Sequence, residues 1–154
     1  MPTHYKGSEG ERRALDTYIK FVRAAESVIA HLSGALSEYN LTLSQFGTLE
    51  VLYHLGPLCQ KAIGEKLLKS GGNITMVVNN LEDRDLVSRS RLESDRRYVS
   101  VDLTDKGREL IEEVLPGHVD KIVDIFGVLS DEEQVELAGL SKRVGMHVIG
   151  EDGS

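Results

Sequence analysis

The chain has 154 residues, 40% of them hydrophobic and 28% charged, with a net charge of −7 and a single cysteine, Cys59. That length accommodates one globular domain, or a compact core with an association arm, and excludes a multidomain machine, and a lone cysteine excludes an intramolecular disulfide framework or a multi-cysteine zinc site. Apolar runs are only a few residues long and residues 1–10 are polar, so neither a transmembrane helix nor a signal peptide is expected, and the chain is placed in the cytoplasm.

Beyond a polar start read as disordered, Leu15, Tyr18, Ile19, Val22, Ala25, Ile29, Leu32 and Leu36 recur in steps of three and four. They predict one long amphipathic helix over about 11–38. Thr42-Leu43-Ser44-Gln45 has capping-box spacing and opens a second helix to about Leu52, which Gly56-Pro57 ends. A short third helix follows over about 60–68. The Lys69-Ser70-Gly71-Gly72 break then implies a tight glycine turn, with Ser70 as the N-cap of a fourth helix. In that helix Ile74, Val77, Val78 and Leu81 share an inward face. At 100° per residue, the opposite face carries Asn73, Met76, Asn79, Asn80 and Asp83, with Thr75 on the flank.

After Leu86 the period changes to two. Val87–Arg91 and Tyr98–Leu103 predict a two-stranded hairpin around the polar segment 92–97. Thr104 caps a further helix, expected to be kinked or interrupted at Pro116-Gly117, and Ser130-Asp131-Glu132-Glu133 is a capping box for the last one. Residues 150–154 are expected to fray.

The net charge of −7 opposes nucleic-acid binding only if it is evenly spread. Residues 1–59 carry five basic and six acidic groups, residues 60–101 eight and six, and residues 102–154 five and thirteen. The positive block is the one holding Arg84, Arg89, Arg91, Arg96 and Arg97. Helix, tight turn, helix and basic hairpin, in that order, spell a winged helix-turn-helix. The side chains fit the task. Asn79 and Asn80 can each make bidentate bonds to adenine, Thr75 and Met76 can touch a thymine methyl, Ser70 and the amides beside it can meet phosphate, and a tip arginine can enter a minor groove. Arg89 and Arg91 share one strand face, for which phosphate contact and plain solvation both remain open. Asp83 would repel phosphate and is read as lying beyond the groove.

The segment Asp95-Arg96-Arg97-Tyr98-Val99-Ser100-Val101-Asp102-Leu103-Thr104, followed by Asp105-Lys106-Gly107, resembles the wing of the MarR-type transcriptional regulators. Ser70-Gly71-Gly72-Asn73-Ile74-Thr75, with Val77-Val78 and Leu81-Glu82, resembles the opening of their recognition helix. The resemblance covers about residues 11–149, and the recognition helix looks most like the branch regulating quinone and catechol resistance. It implies a mainly α fold with a small β-hairpin wing. A winged helix-turn-helix core over 41–103 would lie between an N-terminal dimerisation helix over 11–40 and C-terminal dimerisation helices over 104–149, with 1–10 and 150–154 as disordered ends. It further implies a homodimer on a pseudo-palindromic double-stranded DNA operator and a repressor released by a small ligand or by oxidation, acting without a cofactor. Asp95 would brace the wing and Arg97 reach the minor groove; Arg96 is not a family anchor but belongs to the same basic tip.

In that family a phenolic ligand binds between the dimer arm and the DNA-binding core, and His31, Tyr39, Tyr53 and His54 fall on or beside the helices bordering that cleft. The same rings suit a core equally well. Cys59, just before a helix, is read as a half-buried inert thiol rather than a redox sensor, because redox-sensing relatives carry their cysteine in the first helix. The five histidines lack metal-ligand spacing, so no metal site is expected. The rival readings are a redox regulator acting through Cys59, or a helical dimerisation module whose wing binds protein. Nothing in the sequence marks an enzyme: there is no phosphate loop, nucleophile elbow or acid–base constellation.

Overall fold

The computed structural model describes residues 2–91, 93–95 and 97–152, and divides into two compact units, Met1–His118 and Val119–Ser154. The first unit begins with α1 (Glu9–Leu36) and a single 3-10 turn (Ser37–Tyr39). Then come α2 (Leu43–Leu55), β1 (Leu58–Cys59), α3 (Gln60–Leu67), α4 (Gly71–Asp83), β2 (Val87–Arg91) and β3 (Val99–Leu103). Helix α5 (Asp105–Phe126) runs on into the second unit, which ends with α6 (Asp131–Asp152).

Helix α1 starts two residues before its expected position, inside the segment read as disordered. The cause is local: Ser8 is an N-cap whose hydroxyl accepts from the Glu11 amide at 3.2 Å, while the Glu11 carboxylate accepts from the Ser8 amide at 2.7 Å. Those bonds to Ser8 hold the Glu11 carboxyl below its ordinary value of 4.5. At the other end, α6 continues through Asp152, past the point at which fraying was expected. Helix α5 likewise passes Pro116 without interruption.

The core of the first unit is built by residues of five helices closing on the sheet. Leu36, Leu41, Phe46, Leu49, Leu52, Ile63, Ile74, Val78, Leu81, Leu86, Val101 and Ile111 are all buried in one cluster. Ile74, Val77, Val78 and Leu81 bury as their spacing requires, which turns the remaining faces of α4 to solvent. Thr42 and Gln45 form the anticipated capping box of α2, and Gly56, at φ 79°, ends that helix in a backbone region that favours glycine.

Two features depart from the sequence reading. The sheet has three strands in the order β1-β3-β2, all antiparallel: Leu58 pairs with Val101 and Cys59 with Ser100, beside the hairpin register Val87–Leu103 to Arg91–Val99. A two-residue strand has no periodicity to read, and it exists because β3 offers it a free edge. Secondly, the α3–α4 turn is not made by glycine. Leu68 takes the left-handed conformation at φ 55°, whereas Gly71 and Gly72 are the first residues of α4.

In the second unit α6 has no buried residue among those described. Val135, Leu137, Leu140, Val144, Met146, Val148 and Ile149 are exposed along it, as are Val123 and Val128 before it.

Candidate nucleic-acid interface

The α3–turn–α4 unit sets one helix face and one hairpin side by side. Ser70 caps α4, its hydroxyl accepting from the Asn73 amide at 3.3 Å, so the first turn of the helix is fixed by a local bond. Asn73, Thr75, Met76, Asn79, Asn80 and Asp83 are all exposed, and Met76, at 74%, projects furthest of the apolar residues on the helix. Thr75 is on the flank, its hydroxyl donating to the Gly71 carbonyl at 2.9 Å and accepting from Gln60 Nε2 at 3.2 Å.

The two asparagines are engaged on opposite sides. Asn79 Oδ1 accepts a short hydrogen bond from Arg89 Nη2, and the same guanidinium meets Glu82 at 3.4 Å through Nη1. Arg89 is therefore neither simply solvated nor free for phosphate: half-buried, it ties β2 to α4. Asn80 Oδ1 accepts from Gln45 Nε2 at 3.0 Å, on the side facing the start of α2. Gln60, Thr75, Asn79, Arg89, Arg91 and Val99 line a cleft of about 300 Å³ between the helix-turn-helix and the wing, with the Arg89 and Arg91 side chains on the same side of their strand as the period of two demands.

At the wing tip Asp95 Oδ1 accepts from the Arg97 backbone amide at 3.0 Å and from Arg97 Nε at 3.2 Å. The Arg97 side chain is nonetheless 93% exposed, so the aspartate aims the guanidinium and leaves its outer edge to solvent. Arg96 lies outside the described residues. The wing is anchored at its base. The Thr104 hydroxyl donates to the Asp85 carbonyl at 2.6 Å and accepts from the Gly107 amide at 3.0 Å, and Lys106 Nζ donates to the Arg84 carbonyl at 3.1 Å. Gly107 is there because nothing larger fits: a Cβ on it would lie 2.0 Å from the Leu86 carbonyl oxygen.

Arg84, Gln45 and Gln60 make tertiary hydrogen bonds that sequence reasoning did not assign, Gln45 having been read only as part of the capping box. Arg84 donates to the Asn40 carbonyl at 2.7 Å and to that of Tyr39 at 3.3 Å, holding the end of α4 to the loop before α2. Their bonds join residues 15 to 45 positions apart, which no local pattern encodes.

Of the four ring residues considered for a ligand, two are in contact. Tyr53 and His54 touch edge-on at 5.3 Å and Arg108 stands 5.6 Å over the Tyr53 ring, whereas His31 is exposed on α1 and Tyr39 closes the 3-10 turn. Cys59 is half-buried, its backbone in β1, and its side chain makes no capping bond to α3. No group of three or more potential metal ligands occurs among the described residues.

Comparison with known proteins places this geometry. Residues 31–114 match the model of the family described as transcriptional regulator SarA/Rot. The chain is 34% identical to the HTH-type transcriptional regulator MhqR of Bacillus subtilis over 135 residues, spanning 88% of this chain and 93% of that one. It is 37% identical to the uncharacterised HTH-type regulator YkoM of the same organism, spanning 90% of each. Among solved structures, the MarR-family regulator AbsC of Streptomyces coelicolor superposes with a TM-score of 0.84 at 21% identity, covering 95% of this chain and 99% of that one. The Staphylococcus aureus MepR–DNA complex gives 0.76 at 25%, covering 84% and 96%. Bordetella bronchiseptica BpsR, whose DNA binding is regulated by 6-hydroxynicotinic acid, gives 0.77 at 26%, covering 84% and 98%. The chain therefore belongs to the SarA/Rot transcriptional regulators, a non-enzymatic class with the MarR-type winged-helix fold.

Proposed function

We propose that the protein is a homodimeric, sequence-specific DNA-binding repressor in which α4 enters the major groove and the Asp95–Arg97 wing tip holds the adjacent minor groove. The observation carrying this reading is the pairing of one solvent-facing polar helix face, almost without charge, with a braced but outwardly open Arg97 on the neighbouring hairpin. Ser70 and the first amides of α4 face phosphate, Met76 and Thr75 supply apolar contact, and Arg91 lies along the backbone. Support for the partner comes from MepR, 25% identical and solved with DNA. Support for the dimer comes from the apolar residues left uncovered on α6 and the end of α5, in a unit too small to bury them itself.

The effector is a small hydroxyaromatic acid. Tyr53, His54 and Arg108 offer an aromatic wall with a cation over it, and BpsR, 26% identical, responds to such a molecule. Ligand binding shifts the dimer toward conformers whose recognition helices no longer match the operator. The test is selection from a random DNA pool by the purified chain, followed by binding assays. Arg97→Ala weakens binding to all sequences and lowers the salt slope by about one. A pool that emerges unenriched at every salt concentration defeats the reading. For the effector, a panel of phenolic and hydroxypyridine acids raises the melting temperature of the wild type, and not of Tyr53→Ala.

A further inference from the structure

We propose that the Thr42–Gln45 capping box of α2 sets the hydrogen-bonding polarity of Asn80, so that α4 turns its N–H donor to the base edge at that position and its oxygen aside to Gln45. The proposal rests on the reading of α4 as the groove-facing helix. An amide side chain is nearly symmetric in shape but not in chemistry, and a chain of bonds removes the ambiguity. The Thr42 backbone amide can only donate, and it donates to Gln45 Oε1 at 3.0 Å. That fixes the other end of Gln45 as Nε2, also a donor, and Asn80 answers it with Oδ1 at 3.0 Å. Asn80 Nδ2 is the group left for a ligand.

The neighbouring asparagine obeys the same logic from the other flank. A guanidinium has donors only, so Asn79 must also turn its oxygen inward, toward Arg89. The helix wheel separates the two residues by 100°, and the Asn79 oxygen is drawn to β2 while the Asn80 oxygen is drawn to α2.

Bidentate recognition of adenine needs an amide that accepts from N6 while it donates to N7. With its oxygen drawn aside to Gln45, Asn80 meets a base through Nδ2 and does not straddle N6 and N7 of adenine, which replaces the expectation drawn from residue type alone. An outward N–H donor matches the paired acceptors on guanine (N7 and O6), the O4 of thymine and, singly, the N7 of adenine. It is mismatched with cytosine, whose major-groove edge offers an amino group. Gln45 is thus a specificity-determining residue that acts through Asn80.

The test uses the full-length protein and half-site profiles selected from random DNA. The position read by Asn80 is the one whose preference changes in Asn80→Ala. There the wild type favours guanine or thymine over cytosine by about five- to tenfold, and Asn80→Ala loses that discrimination. Gln45→Glu keeps the capping box, since a carboxylate serves at N3 as well as an amide. It offers Asn80 only an acceptor, so Asn80 turns its Nδ2 inward and its oxygen outward, and the preference moves to adenine or cytosine. The added charge lowers affinity for all sequences alike, which the profile does not register. In the Gln45→Glu/Asn80→Ala double variant the moved preference disappears.

An unchanged profile in folded Gln45→Glu, or a wild-type profile led by adenine at that position, overturns the proposal. Asn80→Ala decides the matter by itself if Gln45→Glu does not fold, because loss of an adenine preference in place of discrimination against cytosine has the same force. A wild type that selects no sequence at all refutes the DNA-contact reading of α4 instead.

Discussion

At the scale of single residues, the wing is held by side chains whose roles are steric or polar in a way that residue type alone only partly reveals. Gly107 is the sharpest case. Its missing Cβ admits the Leu86 carbonyl, which in turn accepts from the Thr104 amide at 3.1 Å, so the junction between α4, the wing and α5 depends on this close approach as well as on the bonds of Thr104 and Lys106. Gly107→Ala must push backbone and not a flexible side-chain end. A loss of about 3 kcal/mol is expected, lowering the melting temperature by roughly 6–12 °C. A melting temperature unchanged in that variant would contradict the packing described. Thr104 and Ser70 were identifiable as caps because their partners lie three residues away. Arg89 was not, since its bonds to Glu82 and Asn79 depend on β2 folding back against α4. The choice between solvent and phosphate posed for it omitted the answer: a neighbouring side chain.

At the scale of elements, the helices were legible wherever local signals coincide. Thr42 with Gln45 and Ser130 with Glu133 form reciprocal caps, and α4 buries the face its 3–4 spacing marks. Signals that depend on tertiary pairing were lost. Strand β1 exists only against β3, and the α3–α4 turn defeats composition because a leucine, not a nearby glycine, takes the left-handed position. Leu68 is 73% exposed, so its side chain gains little from burial while its backbone is strained. Leu68→Gly is therefore expected to preserve or raise stability, by up to about 1 kcal/mol in chemical denaturation. A clear loss would mean that the leucine side chain contributes something its exposure conceals.

At the scale of the whole molecule, the charge distribution and the apolar surface point to a division of labour. The only net-positive third, residues 60–101, carries α4 and the wing, and the most acidic, residues 102–154, carries α5 and α6. A negative total is thus compatible with a DNA-facing surface, though a surplus of two positive charges keeps non-specific attraction modest and leaves base contacts to supply selectivity. In the proposed dimer the exposed apolar residues of α6 form the face that a second copy covers. Leu140→Asp combined with Val144→Asp is expected to convert a dimer to monomers by sedimentation and, with the paired half-sites lost, to weaken operator binding by at least about a hundredfold. Wild-type monomers at micromolar concentration would count against the arm.

The central claim, that α4 and the wing read base sequence, is tested most directly by one titration. The dissociation constant of the purified protein is measured for its selected operator and for a scrambled duplex of equal length, at physiological salt. Preference for the operator by about a thousandfold or more is the predicted result. Equal affinity for the two duplexes would contradict it.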